Sequence, residues 1–116
     1  MGAQVRAWDA AGAERAVAVL KAVAEPSRYR LLWALSGQEL PVSSLAELLG
    51  AHVAATSQHL ARLRAAGLVT SRRDGTRIYY RAAGPHVRGL LEEAAHAAVP
   101  ESGASSSRRY PRGSAS

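Results

Sequence analysis

The chain contains no cysteine, no phenylalanine and a single methionine among its 116 residues. Without cysteine it can form neither a disulfide framework nor a thiolate metal site, so histidine, aspartate and glutamate are the strong metal ligands that remain. Without phenylalanine, and with only 5% aromatic residues, its core must consist mainly of alanine, leucine and valine. That composition predicts a fold rich in helices that pack through small and γ-branched side chains.

Long apolar segments are also missing. The longest apolar run near the start, residues 16–24, is short and interrupted by Lys21, which argues against a secretory signal and a membrane span. We therefore expect a cytoplasmic protein. With 116 residues and 47% hydrophobic content, the chain suffices for one compact domain but not for two.

Lysine is almost absent, because fourteen of the fifteen basic residues are arginine. Residues 1–50 carry five bases and five acids, whereas residues 51–90 carry seven arginines against Asp74 alone. A basic excess in one segment predicts contact with a polyanion, and arginine suits forked contacts with phosphate and guanine. A solvated basic face is the alternative interpretation of the same pattern.

Hydrophobic periodicity predicts four helices, a β-hairpin and a last helix. The first helix is expected over residues 12–24 after a flexible start at residues 1–11. The second restarts at Pro26 and ends at Ser36-Gly37, where glycine supplies a left-handed stop. A short third helix is capped by Ser43 or Ser44 and closed by Gly50.

The fourth helix, over residues 53–66, is the predicted recognition helix of a winged helix-turn-helix. Val53, Thr56, Leu60 and Leu63 follow the spacing that points into a core. Gln58 faces outward and offers adenine a donor and an acceptor together, while small neighbours permit close approach. The residues predicted to contact DNA in this region are Ser44, Ala54, Ala55, Ser57, Gln58, His59 and Arg62.

Two β-prone runs, residues 68–72 and 76–81, flank an Asp-Gly hairpin signal at residues 73–75. This hairpin is the predicted wing. Arg72, Arg73 and Arg77 crowd its tip and are predicted to contact DNA in or beside the minor groove. Charged residues also protect a two-stranded ribbon from aggregation, which is the alternative role for some of them.

The last helix is expected over residues 85–99 and has an apolar face too wide for one small core, which predicts a homodimer interface. The serine-, glycine- and arginine-rich tail at residues 100–116 is expected to be disordered. The predicted fold is thus mainly α with a small β-hairpin, in the order α-α-α-α-β-β-α, with residues 12–99 as the DNA-binding and dimerisation domain.

Four strings along the chain resemble the ArsR/SmtB family of winged-helix metalloregulators: AEPSRYRLLWAL, ELPVSSLAELLG, TSQHLARLRAAGLV and RRDGTRIYYR. The resemblance implies a homodimeric repressor that binds a palindromic DNA operator and responds to an effector. Ser57, Gln58 and His59 match the part of the family motif that enters the major groove.

The metal sites of the family are carried over only in part. A cysteine site in an ELCVC-like string is absent, because Pro41 and Ser43 stand in the corresponding ELPVS. Of a second site on the last helix, only His86 is in register. A displaced set of His86 from one subunit with Glu93 or His96 from the other would suit nickel, cobalt or zinc. Ordinary exposed or interfacial histidines are the alternative.

These patterns predict a sequence-specific transcriptional repressor. Its control is expected either through direct binding of Ni²⁺, Co²⁺ or Zn²⁺, or through a separate effector-sensing protein, or is absent. A winged-helix protein-interaction module without specific DNA binding is the alternative from another class. An enzyme is not expected, because the chain has neither a strained-turn nucleophile motif nor a glycine-rich phosphate loop.

Overall fold

The computed structural model describes residues 9–100. Its elements follow the predicted order, with one short strand added before the third helix. They are α1 (Ala10–Val23), α2 (Pro26–Leu35), β1 (Leu40–Pro41), α3 (Val42–Leu49), α4 (Val53–Ala65), β2 (Val69–Asp74), β3 (Arg77–Ala82) and α5 (Pro85–Ala97). The predictions for residues 1–8 and 101–116 lie outside the described residues.

Side-chain caps determine where the first two helices begin. The carboxylate of Asp9 accepts a hydrogen bond of 3.0 Å from the Gly12 amide, so α1 begins two residues before the predicted start. Glu25 caps α2 in the same way, through a bond of 2.9 Å from the Arg28 amide. Each carboxylate satisfies an amide that has no partner within its helix.

Two of the predicted helix caps are wrong. Neither Ser43 nor Ser44 caps α3, because the strand pairing of β1 ends at Pro41 and the helix starts directly at Val42. Gly37 does not adopt a left-handed conformation. Helix α2 ends at Leu35, its C-cap Ser36 lies in the right-handed region, and the Ser36 hydroxyl donates to the carbonyl of Leu32 over 2.7 Å. Gly50 does end α3 with a φ of 64°, as predicted.

The core is built from leucine and valine, as the absence of phenylalanine predicts. Its fully buried side chains come from α2, α3, α4 and α5: Leu31, Leu32, Leu35, Leu45, Leu60, Leu63, Val87 and Leu91. Thr56 is buried among them, and its hydroxyl donates to the His52 carbonyl over 3.0 Å. The spacing also predicts that Val53 joins this core, but this first residue of α4 is 49% exposed, so that prediction is wrong.

The three strands form an antiparallel sheet in the order β1-β3-β2. Six residue pairs join β2 to β3, from Val69 opposite Ala82 to Asp74 opposite Arg77. The hairpin loop therefore consists of Gly75 and Thr76 instead of the predicted residues 73–75, and Gly75 supplies a φ of 66° there. Strand β1 adds two pairs on the other side of β3.

Apolar side chains remain exposed on both outer helices. On α1, Val17 and Leu20 are 46% and 53% exposed. On α5, Val87 and Leu91 are buried, whereas the predicted apolar face continues on the surface through Ala94, Ala95 and Ala98. None of the helices within residues 9–100 has both the length and the apolar character needed to cross a bilayer.

Candidate nucleic-acid interface

Helix α4 is presented by the turn that follows α3. Gly50 reverses the chain, two exposed residues follow, and α4 begins at Val53. Thr56, Leu60 and Leu63 anchor one side of α4 in the core, with no measurable exposure. A helix held along one side presents the opposite side to solvent.

The solvent-facing side of α4 carries the residues that the sequence predicts to contact DNA bases. Ala54, Ala55, Gln58 and Arg62 are all exposed, and Ser57 is half-buried. Because Ala54 and Ala55 have small side chains, the backbone of α4 can approach a DNA surface closely on this side, where Gln58 is also exposed. Ser44 lies apart, half-buried in the first turn of α3.

His59 turns away from this surface and towards the body of the domain. Its Nδ1 lies 3.2 Å from Nη1 of Arg28 and 3.9 Å from Oε1 of Glu25. The guanidinium of Arg28 also donates through Nε to the carbonyl of Ala22, at the end of α1. His59 is therefore positioned to join α4 to the α1–α2 junction.

The wing carries two exposed arginines at its outer end. Arg77 closes the hairpin opposite Asp74, and Arg73 lies beside it opposite Ile78. Within residues 9–100, neither arginine makes an ion pair, and the same holds for Arg62 and Arg64 on α4. Their charges are thus free to act on a polyanion approaching from solvent.

Arg72 is placed differently from the other wing arginines. Its Nε and Nη2 donate to the two carboxylate oxygens of Glu39 over 2.7 and 2.8 Å. The central carbon of its guanidinium, Cζ, lies 4.9 Å from the ring centre of Tyr79, and its Nη1 lies 3.7 Å from Oδ2 of Asp74. The hydrogen bond with Arg72 holds the pKa of Glu39 below its ordinary value, and it raises the pKa of Arg72.

Three residues that the sequence marked for metal binding are spread along α5. His86 occupies the first turn, where its ring folds back over Gly84, while Glu93 and His96 are exposed towards the other end. Glu93 is seven residues and His96 ten residues beyond His86, which corresponds to about 10 and 15 Å along the axis of α5. No group of three histidine, aspartate or glutamate side chains in the described part of the chain could hold a metal ion.

Two features of this surface are not predicted from the sequence. The first is Val53, whose spacing predicts a place in the core but whose side chain is exposed at the start of α4. The second is Glu39, which lies between the predicted second and third helices and whose partner Arg72 is 33 positions away. No local pattern indicates that contact.

Comparison with known proteins agrees with this geometry. Residues 23–72 match the family described as Helix-turn-helix domain. The chain is 46% identical over 78 residues to the HTH-type transcriptional regulator KmtR of Mycobacterium tuberculosis, a match that covers 67% of this chain and 60% of KmtR. It is 41% identical over 86 residues to the HTH-type transcriptional regulator NmtR of that organism, covering 74% of this chain and 72% of NmtR.

A solved structure has the same architecture. The homodimeric winged helix-turn-helix DNA-binding domain from Mycobacterium bovis, determined by NMR, is 34% identical and superposes with a TM-score of 0.73. The match covers 83% of this chain and 89% of that domain, which is described as a possible ArsR-family transcriptional regulator. Since element order, fold and sequence identity agree, the chain belongs to the ArsR/SmtB family of DNA-binding winged helix-turn-helix transcriptional regulators.

Proposed function

We propose that the chain is a homodimeric, sequence-specific repressor that acts on operator DNA in the cytoplasm. The observation that supports this most directly is the exposed side of α4, where Ala54, Ala55 and Gln58 lie together. The family is one of regulators and not of enzymes, which confirms the expectation that the chain is not catalytic.

The exposed residues divide into two roles. Gln58 reads a base, because its amide pairs with the donor and acceptor that adenine presents in the major groove. Arg62, Arg73 and Arg77 contact phosphates, since their side chains are exposed and make no ion pair within residues 9–100. Phosphate contacts of this kind supply affinity and orientation, and base contacts supply sequence preference.

Two observations support a homodimer. Val17 and Leu20 on α1 and the alanines of α5 leave apolar surface exposed in the single chain. The related domain from Mycobacterium bovis is itself homodimeric. Two copies related by a two-fold axis would present two α4 helices to half-sites about one helical turn, ~34 Å, apart.

The experiment compares binding to the chain's own promoter DNA with binding to a scrambled duplex of equal length. We expect discrimination between the two, a steep fall in affinity with salt from counterion release, and one dimer per palindromic site in analytical ultracentrifugation. Equal affinity for both duplexes at every salt concentration would contradict a sequence-specific repressor.

Direct metal control is the second part of the proposal. Because His86 is far from Glu93 and His96 along α5, one chain does not assemble these ligands. In a dimer whose two α5 helices are antiparallel, His86 of one subunit would lie near Glu93 and His96 of the other. Neither the described surface nor the relatives support a separate effector-sensing protein, which is therefore not part of the proposal.

Calorimetric titration of nickel, cobalt and zinc into the wild type and into His86→Ala tests this control. Tight binding that requires His86, and that changes operator affinity, is the expected result; a coupling of about 1–3 kcal/mol is typical of allostery. Binding heat that persists in His86→Ala would contradict the ligand set. The absence of binding would leave a repressor without direct metal control.

A further inference from the structure

The outer half of the wing is weakly supported by the rest of the sheet. Strand β1 pairs with β3 only through Leu40 opposite Tyr80 and Pro41 opposite Tyr79. Proline has no amide hydrogen to donate to a strand partner, which weakens the second pair. Beyond it, the hairpin continues for two more residue pairs that have no neighbouring strand.

The Glu39–Arg72 contact bridges this gap from one edge of the sheet to the other. Arg72 is opposite Tyr79 on β3, and Tyr79 is opposite Pro41 on β1, so the three residues form one row across the sheet. Residues that are directly opposite one another in an antiparallel sheet have their side chains on the same face of the sheet. Glu39 is two positions before Pro41, so in an extended chain its side chain is on that face too. The carboxylate of Glu39 thus reaches over β3 to the guanidinium on β2.

The Arg72 guanidinium makes three contacts within the protein, although its side chain is 53% exposed. Both carboxylate oxygens are engaged in a forked arrangement, one face covers the Tyr79 ring, and Nη1 faces Asp74. Forked arginine–carboxylate pairs fix orientation as well as supplying energy. With its charge balanced by a carboxylate, Arg72 also has little net charge to offer a phosphate.

We propose that Arg72 is a positioning residue of the wing and not a DNA contact, and that Glu39 and Arg72 together orient Arg73 and Arg77 towards DNA. This assignment is an alternative to the DNA-contacting role that the sequence predicts for Arg72. The part that concerns DNA rests on the proposed function, whereas the tethering of the wing does not.

The tether is tested first in the free, full-length protein. Backbone ¹⁵N relaxation is measured for residues 73–78 in wild type, Glu39→Gln and the charge-swapped variant E39R/R72E. We expect order parameters in the wild type near the rigid value of about 0.85, a fall towards about 0.6 in Glu39→Gln, and recovery in the swapped variant. Unchanged order parameters in Glu39→Gln would overturn the proposal, whatever the DNA-binding result.

Operator binding then separates positioning from contact. If Arg72 positions the wing, R72E weakens operator affinity by about fivefold, and E39R/R72E restores that affinity to within about twofold of the wild type. Glu39→Gln also weakens operator affinity. If Arg72 contacts phosphate, Glu39→Gln leaves binding equal or tighter and the swapped variant stays weak, because a glutamate then faces DNA.

The matched control is Arg77→Glu, which replaces a wing arginine that is opposite Asp74 and makes no ion pair with Glu39 within residues 9–100. Its loss of affinity should persist when Glu39→Arg is added. If E39R restores the operator affinity of R77E as much as it restores that of R72E, the effect is one of overall charge. That result would overturn a specific pairing of Glu39 with Arg72. A wild type that binds both duplexes equally would refute the proposed function, and the relaxation data would still decide the tether.

Discussion

The imidazole of His59 is joined to the guanidinium of Arg28, with Nδ1 and Nη1 3.2 Å apart. A guanidinium only donates hydrogen bonds, so Nδ1 is the acceptor in this contact. Arg28 also binds the Ala22 carbonyl at the end of α1. Through this arginine, α1 and α2 are connected to the helix that presents Gln58.

The loss of stability on replacing His59 should depend on where the new side chain places the atom that accepts the hydrogen bond from Arg28. The oxygen of asparagine occupies nearly the position of Nδ1, whereas that of glutamine lies further out. We expect His59→Gln to lower the free energy of unfolding by about 1 kcal/mol, as for loss of one hydrogen bond, and His59→Asn to lower it less. Urea unfolding measures both. Glutamine is the better helix former, so a larger loss in His59→Asn would contradict the contact.

Gln58 and Arg77 should differ in how they affect DNA sequence preference. We expect Gln58→Ala to reduce discrimination at one base position by about 1–3 kcal/mol, because an amide that pairs with adenine is removed. Arg77→Ala should weaken binding to all sequences alike and reduce the slope of log affinity against log salt by about 1. Affinities for an operator with each base pair substituted in turn provide the measurement.

If both variants change affinity uniformly across these duplexes, Gln58 does not read bases. Gln58→Glu is a useful companion, because it keeps the size of the side chain while removing the amide donor. It should lose the preference for adenine at the same position that Gln58→Ala affects.

Local patterns in the sequence predicted the helices and the hairpin but not the contacts between distant segments. Thr56, Leu60 and Leu63 are buried because helical spacing determines which side of α4 packs inward. The start of α3 depends on Leu40 pairing with Tyr80, forty positions away. Such pairing has no signature within either segment, which is why Ser44 was wrongly expected to cap that helix.

The contrast between Val53 and Leu60 tests how far the core extends along α4. Both follow the same apolar spacing, yet Val53 is 49% exposed and Leu60 is fully buried. Leu60→Ala should therefore cost about 2–5 kcal/mol of unfolding free energy through the cavity it leaves. Val53→Ala should change stability by no more than about 0.5 kcal/mol. Similar losses for both variants in urea unfolding would place Val53 back in the core.

Tyr29 connects α2 to the last helix. Its hydroxyl donates to the Leu91 carbonyl over 3.0 Å, and its ring meets Trp33 edge-on. Tyr29→Phe removes only the hydroxyl, so we expect a loss of about 1 kcal/mol in unfolding free energy with the helical content unchanged. Tyr80→Phe is the control, since the Tyr80 hydroxyl makes no hydrogen bond within residues 9–100. Equal losses in both variants would contradict the assignment.

The pH dependence of stability should report the Glu39–Arg72 contact. The hydrogen bond with Arg72 lowers the pKa of Glu39 in the folded chain below its ordinary value of 4.5. A carboxyl group with a lowered folded pKa stabilises the fold above its unfolded pKa, and this contribution is lost as pH falls through the folded value. Wild type should therefore melt at a higher temperature than Glu39→Gln near neutral pH, with the difference vanishing in acid.

Thermal melting followed by circular dichroism from about pH 7 to about pH 3 covers this range, which brackets the ordinary pKa of glutamate. Repeating the comparison in an Arg72→Ala background removes the partner while keeping the titrating group. The difference between glutamate and glutamine should then be small and almost independent of pH, because the hydrogen bond that lowers the pKa is gone. A difference that keeps the same pH dependence without Arg72 would assign it to another cation, and Arg81, the other cation that lowers the pKa of Glu39, would be the next residue to replace.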